Sequence, residues 1–113
     1  MIRWGLVGTG AIAHKRVGPA LVEADRSQLV AVCDVNEEAA EAFADTMQVP
    51  TVYSDLEDLL EDDQVDAIYL ATPVFLHGPQ ALQTLRAAFP RGIALEHTDF
   101  AGRVTFITFY GER

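Results

Sequence analysis

The run Gly8-Thr9-Gly10-Ala11-Ile12-Ala13 follows directly on a short apolar stretch, Arg3 to Val7. About twenty residues beyond this loop, a second apolar run, Gln28 to Cys33, ends in Asp34. Each part of the pattern has a physical task. The first glycine permits a tight turn off a strand, and the second lets a pyrophosphate approach bare backbone. The small third residue, Ala13, lets the new helix pack close to a sheet. The helix N-terminus then offers unpaired N–H groups and a positive dipole end to phosphates. Asp34, at the tip of the second strand, can accept hydrogen bonds from a ribose diol. A G-x-G-x-x-A loop means little by itself; with the preceding strand and the distal acid it points to a dinucleotide site.

Other residue types that could do chemistry are few. His14, Lys15 and Arg16 sit in the first turns after the glycine loop, where they could touch phosphate or simply carry solvated charge. His77 could assist proton transfer or cap a following helix. His97 could act as an acid or base, since histidine titrates near neutrality. Equally, it could be a strand-end residue without a task. Cys33 lies inside an apolar strand and reads as a buried, inert thiol. The histidines and the single cysteine show no metal-ligand spacing. No G-x-S-x-G or Ser/His/Asp arrangement supports a hydrolase.

Strands and helices alternate through most of the chain, as in a parallel sheet with helices on its faces. The expected order is a strand over Arg3–Val7 and a helix from about Ala11 to Ala24, then a strand over Gln28–Cys33. Asn36 then caps a helix whose inward stripe is Ala39, Ala40, Phe43, Ala44 and Met47. A short strand at Thr51–Tyr53 leads into Ser54-Asp55-Leu56-Glu57, a capping box before a short helix. Asp66–Ala71 is the fourth strand, and a further helix is expected from near His77 to Ala88. Gly92–Glu96 and Val104–Tyr110 read as the fifth and sixth strands. Only about six residues join these two, whereas a parallel crossover needs about a dozen, so the sixth strand should run antiparallel. It is apolar on both faces, and an exposed edge of that kind invites a homodimer.

With 113 residues, half of them hydrophobic, the chain can build one domain with a real core. The formal net charge is −9, from 17 acidic and 8 basic residues. That balance argues against nucleic acid and anionic membrane as partners. The acids concentrate in Glu37–Asp45 and Asp55–Asp66, which read as solvated helix faces. The apolar N-terminus is broken by glycines and ends in His14-Lys15-Arg16, unlike a signal peptide. A cytoplasmic location is the expectation.

Residues 1 to 88 resemble the N-terminal half-domain of the Gfo/Idh/MocA family (glucose–fructose oxidoreductase, inositol dehydrogenase, MocA). The matching stretches are Gly5 through Ala13, Ala31-Val32-Cys33-Asp34, Tyr53 through Leu60, and Val65 through Pro73. The last continues through Leu76-His77 and Ala81-Leu82 to Leu85-Arg86-Ala87-Ala88. The family comprises NAD(P)-dependent oxidoreductases of sugars, cyclitols and related alcohols. The resemblance implies that Gly8, Gly10 and Ala13 contact the pyrophosphate, with Thr9, Ala11 and Ile12 in the same loop. It also implies that Asp34 selects NAD over NADP, since a carboxylate repels the extra 2′-phosphate. Ala71, Thr72 and Pro73 would lie along the cofactor, and His77 at the mouth of the site.

Beyond residue 88 the pattern departs from the family. Its Glu-Lys-Pro signature aligns with Glu96-His97-Thr98, so Glu96 keeps the acid while His97 stands where the signature lysine would be. The helix that should follow is not expected here, and the reading expects this chain to lack the family's second, substrate-binding domain. The expected fold is therefore a single Rossmann-like α/β three-layer sandwich, its mostly parallel sheet closed by an antiparallel last strand. The expected function is NAD binding with little activity alone. A sugar or polyol substrate is expected only together with the second domain. The competing readings are a non-catalytic nucleotide-binding module and an interaction protein with a vestigial pocket.

Overall fold

Strands β1 (Ile2–Val7), β2 (Ser27–Cys33), β3 (Thr51–Tyr53), β4 (Ala67–Leu70), β5 (Ile93–Thr98) and β6 (Val104–Tyr110) form one sheet. Their order is β3-β2-β1-β4-β6-β5. The computed structural model describes residues 1–11, 13–72, 79–80 and 82–84, together with the backbone of 93–98 and 104–110. Strands β1 to β4 are mutually parallel, and β6 runs antiparallel to both β4 and β5. The short connection between β5 and β6 allows nothing else. The exposed edge expected at β6 does not exist. Strand β6 is not a sheet edge, because it inserts between β4 and β5 and is paired on both sides. A dimer formed through β6 has no free strand edge to use; the edge strands of the sheet are β3 and β5.

Helices α1 (Gly18–Glu23) and α2 (Glu37–Met47) cover one face of the sheet, and α3 (Leu56–Leu60) the other. The helix expected from Ala11 to Ala24 is not uniform: Ala13–Val17 is a π-turn, and regular α-helix begins only at Gly18. Pro19 explains the change, because it lacks an N–H for the carbonyl four residues back and its ring crowds that group. Asn36 caps α2 as expected, its side chain accepting from Ala39 N at 3.1 Å. The cap of α3 is Asp55 rather than Ser54, the Asp55 carboxylate accepting from Glu57 N at 3.0 Å. Of the helix expected after His77, residues 79–80 and 82–84 are helical, and the rest lies outside the described residues.

Two buried clusters flank the sheet. Leu56, Leu59, Leu60 and Val65 pack on Val7, Ala31, Cys33, Ile68 and Leu70. On the opposite face, Ala13, Val17, Leu21, Phe43 and Ala44 pack on Leu6, Leu29 and Val32. Strand β2 serves both faces with a shifted register: Trp4 pairs with Leu29, but Gly5 pairs with Ala31. Val30 is the extra residue, so Val30 and Ala31 both turn toward α3. Gly5 sits opposite this shift. A Cβ there would lie 3.1 Å from Ile68, Leu59 and Val65 side-chain carbons, so glycine lets α3 settle onto the sheet.

At the edge where β1 and β4 begin, Arg3 joins the two strands. Its Nε donates to Asp66 Oδ2 and its Nη2 to Asp66 Oδ1, both at 2.9 Å. Hydrogen bonds from Arg3 hold the Asp66 carboxyl below the usual carboxylate range, against a smaller opposing effect of burial. An unfolded chain therefore binds more protons than the folded one as pH falls through this range. The stability from the pair is full above a pH of about 4 and is lost below it. Thermal melts should show a falling midpoint below about pH 4, with a shallower acid dependence in Asp66→Asn. Identical acid dependence in the two proteins would contradict this.

Candidate functional site

The carboxyl ends of the parallel strands are stitched together by backbone hydrogen bonds. Gly8 N donates to Cys33 O and Ala71 N to Val7 O, each at 2.8 Å, and Asp34 N donates to Tyr53 O at 3.2 Å. Ligands of open α/β sheets bind outside this edge, where strand order reverses. Here β1 lies between β2 and β4, so the reversal falls at the glycine loop.

The two loop glycines are required for different reasons. Gly8 has φ +99°, and a Cβ there would stand 2.7 Å from the carbonyl oxygen of Ala71. Only glycine tolerates both the conformation and the contact. Gly10 has neither constraint: its φ is not positive, and a Cβ there would meet no atom of the described residues within 4 Å. Among the described residues, packing gives no reason for glycine at this position. The space beside Gly10 suits a group that must approach the backbone closely, as a pyrophosphate does. His14 N donates to Gly10 O at 3.1 Å, so the helical run starts at this glycine. Ala13 is fully buried, which accounts for its small size.

Asp34 is held by its neighbours. Its Oδ2 accepts from Thr9 N at 3.0 Å and from Thr9 Oγ1 at 2.8 Å. Its Oδ1 accepts from Asn36 N at 3.0 Å. Partial burial pushes the carboxyl up, but the bonds from Asn36 and Thr9 outweigh it, and Asp34 stays below the usual carboxylate range. At neutral pH it presents a fixed negative charge. Such a charge accepts from a diol and repels a phosphate.

A cleft of about 330 Å³ opens here, lined by Gly8, Thr9, Gly10, Asp34, Ala71 and Thr72 among others. The structure thus brings together Gly8, Thr9 and Gly10 of the loop, the strand-end acid and the residues after β4, whereas Ala11 and Ala13 do not line the cleft. Thr72 Oγ1 donates to Gln80 Oε1, tying the residue after β4 to the next helical segment. Ile12, Pro73 and His77 lie outside the described residues. Glu96 and His97 are on β5, whose side chains are not described. In backbone register, Leu70, Ile107 and Glu96 form one row across the sheet. His97 is one step further toward the edge that bears the cleft.

Several lining residues were not expected from sequence: Val35, Ser54, Leu56 and Gln80. Val35, Ser54 and Leu56 follow the ends of β2 and β3, so strand-end position was the available signal. Val35 is 91% exposed at the rim of the cleft. Cys33 also lines the cleft, yet it is 3% exposed and burial pushes its thiol up to about 12. A thiol held in its neutral form by burial is a poor nucleophile, in line with its place in an apolar strand. His14 packs its ring edge-on to Phe43, with centroids 4.7 Å apart. Among the described residues, no three His, Cys, Asp or Glu side chains are placed to hold a metal ion. No helix among them is long and apolar enough to cross a membrane.

Comparison with known proteins agrees with this geometry. The family model described as "Oxidoreductase family, NAD-binding Rossmann fold" (Gfo/Idh/MocA) matches residues 2–97. D-xylose 1-dehydrogenase (NADP(+)) 2 of Haloferax volcanii is 39% identical over 90 residues, covering 80% of this chain and 26% of that protein. The 3-ketoreductase KijD10 of Actinomadura kijaniata, solved with NADP and TDP-benzene, superposes with a TM-score of 0.71 at 32% identity. That match covers 76% of this chain and 26% of the reductase. Scyllo-inositol dehydrogenase of Lactobacillus casei shares the fold, with a TM-score of 0.70 at 23% identity, over 77% of this chain and 26% of its own. The chain thus spans about a quarter of the length of the relatives it matches. It belongs to the Gfo/Idh/MocA oxidoreductase family, and what it matches there is the NAD-binding Rossmann fold.

Proposed function

We propose that this chain binds NAD in the cleft at the carboxyl edge of β1, β2 and β4. The glycine loop receives the pyrophosphate, and the Asp34 carboxylate accepts from one hydroxyl of the adenosine ribose diol. The observation that carries this reading is Gly10, a glycine that no described residue crowds and that packing among the described residues does not require. When bound, the nicotinamide supplies a hydride donor or acceptor, while the chain's residues bind and orient it. Relatives named for NADP or solved with it do not decide the preference here. Asp34 supports NAD, because its fixed charge disfavours a 2′-phosphate.

The reaction served is hydride exchange with a sugar- or polyol-type alcohol, by analogy with the relatives. The 113-residue chain spans about a quarter of those proteins, so by itself it is expected to bind cofactor with little turnover. The interaction-protein reading is disfavoured, since Gly8, Thr9, Gly10, Asp34 and the strand ends still line one cleft.

The test is a titration with NADH and NADPH, following fluorescence of Trp4, the sole tryptophan. Micromolar NADH binding is expected, weaker for NADPH, and reduced at least about tenfold in Asp34→Ala. Equal affinity of the wild type and Asp34→Ala for NADH would remove the ribose contact from the account.

A further inference from the structure

We infer that Thr9 is a positioning residue for cofactor discrimination, acting through Asp34; this rests on the NAD reading above. Thr9 is 3% exposed, so its hydroxyl has little access to water. It donates to Asp34 Oδ2 from the side chain, while its backbone N–H donates to the same oxygen. An ionised carboxylate offers about four acceptor positions, two on each oxygen. Thr9 fills both positions on Oδ2, and Asn36 N takes one on Oδ1. A single acceptor position then remains, on Oδ1, held in a fixed orientation.

This arrangement does two things for a dinucleotide. It fixes the carboxylate in one rotamer, so a ribose hydroxyl meets an acceptor already in place rather than one that must be ordered on binding. It also keeps the negative charge from swinging away from an incoming 2′-phosphate. The residue between the two glycines thus sets the reach of an acid 25 positions later. The backbone N–H would be present whatever residue stood there, so the contribution specific to threonine is the hydroxyl.

The experiment compares wild type, Thr9→Val and Thr9→Ser by NADH and NADPH titration and by thermal melting. Thr9→Val keeps the side-chain shape and removes the hydroxyl. It should bind NADH about tenfold more weakly, with NADPH changed less than about twofold, so that discrimination falls. Thr9→Ser should retain the wild-type ratio. In an Asp34→Ala background, Thr9→Val should alter NADH affinity by less than about twofold, because its target is gone.

Unchanged or tighter NADH binding by a folded Thr9→Val protein would overturn the inference while leaving the NAD reading intact. So would a tenfold loss persisting in the Asp34→Ala background. Failure of the folded wild type to bind NADH would overturn both. Should Thr9→Val not fold, Thr9→Ala removes the hydroxyl without adding a methyl group. Unfolding of both would show that the hydroxyl serves the fold and would overturn the assignment.

Discussion

Gly8→Ala is expected to lower stability by about 3 kcal/mol or more and to abolish NADH binding. Two independent effects converge at this position. The backbone sits at φ +99°, a conformation that L side chains rarely adopt, with a strain of roughly 1–3 kcal/mol. The added Cβ would also lie 2.7 Å from Ala71 O and 2.9 Å from the Ala71 carbonyl carbon. Both are backbone atoms at the end of β4, which cannot rotate aside as a flexible side chain could. Relief requires β1 and β4 to part, and Ala71 N is bonded to Val7 O on that same line. Overpacking of this kind adds roughly 1–3 kcal/mol. In a domain of this size the melting midpoint should fall by about 10 °C or more. A Gly8→Ala protein that melts with the wild type would show that the turn relaxes freely.

Phe43→Ala should destabilise the fold by a similar amount, about 3–5 kcal/mol, without touching the cleft. Phe43 is fully buried and heads the largest side chains of the core. It extends from α2 beneath the first helix, where a Cβ on Gly18 would come within 2.7 Å of its ring. His14 leans on it from the π-turn. Truncation therefore empties the space that both helices share, and neither can close it without leaving the sheet. Phe43→Leu, which refills part of the volume, should recover much of the loss. Urea unfolding of the three proteins checks this, and a cost below about 1 kcal/mol for Phe43→Ala would contradict it.

The features legible in the sequence are the local ones. The turn at Gly8, the acid at Asp34 and the cap at Asn36 are each set by a few neighbouring residues. So is the antiparallel course of β6, because a short connection leaves no room for a crossover. What sequence did not reveal depends on partners far along the chain. The insertion of β6 between β4 and β5 is a choice among sheet positions that no local pattern encodes. The register shift at Val30 is hidden because an unbroken apolar run has no alternation to interrupt. The π-turn before Gly18 was legible in principle, since Pro19 stands inside an otherwise helical pattern. The clamp of Thr9 on Asp34 links loop to strand end through side-chain geometry, which spacing does not supply.

The same distinction separates the two glycines of the loop. Gly8 serves the fold and the site together, so its substitution cannot tell them apart. Gly10 serves the site only, on the present account. NADH titration of wild type and Gly10→Ala, with melting curves for both, therefore tests the central claim most directly. The expected result is micromolar binding by the wild type, at least about tenfold weaker binding by Gly10→Ala, and melting midpoints within about 2 °C. Equal NADH affinity in the two proteins, or no binding by a folded wild type, would contradict a dinucleotide site at this loop.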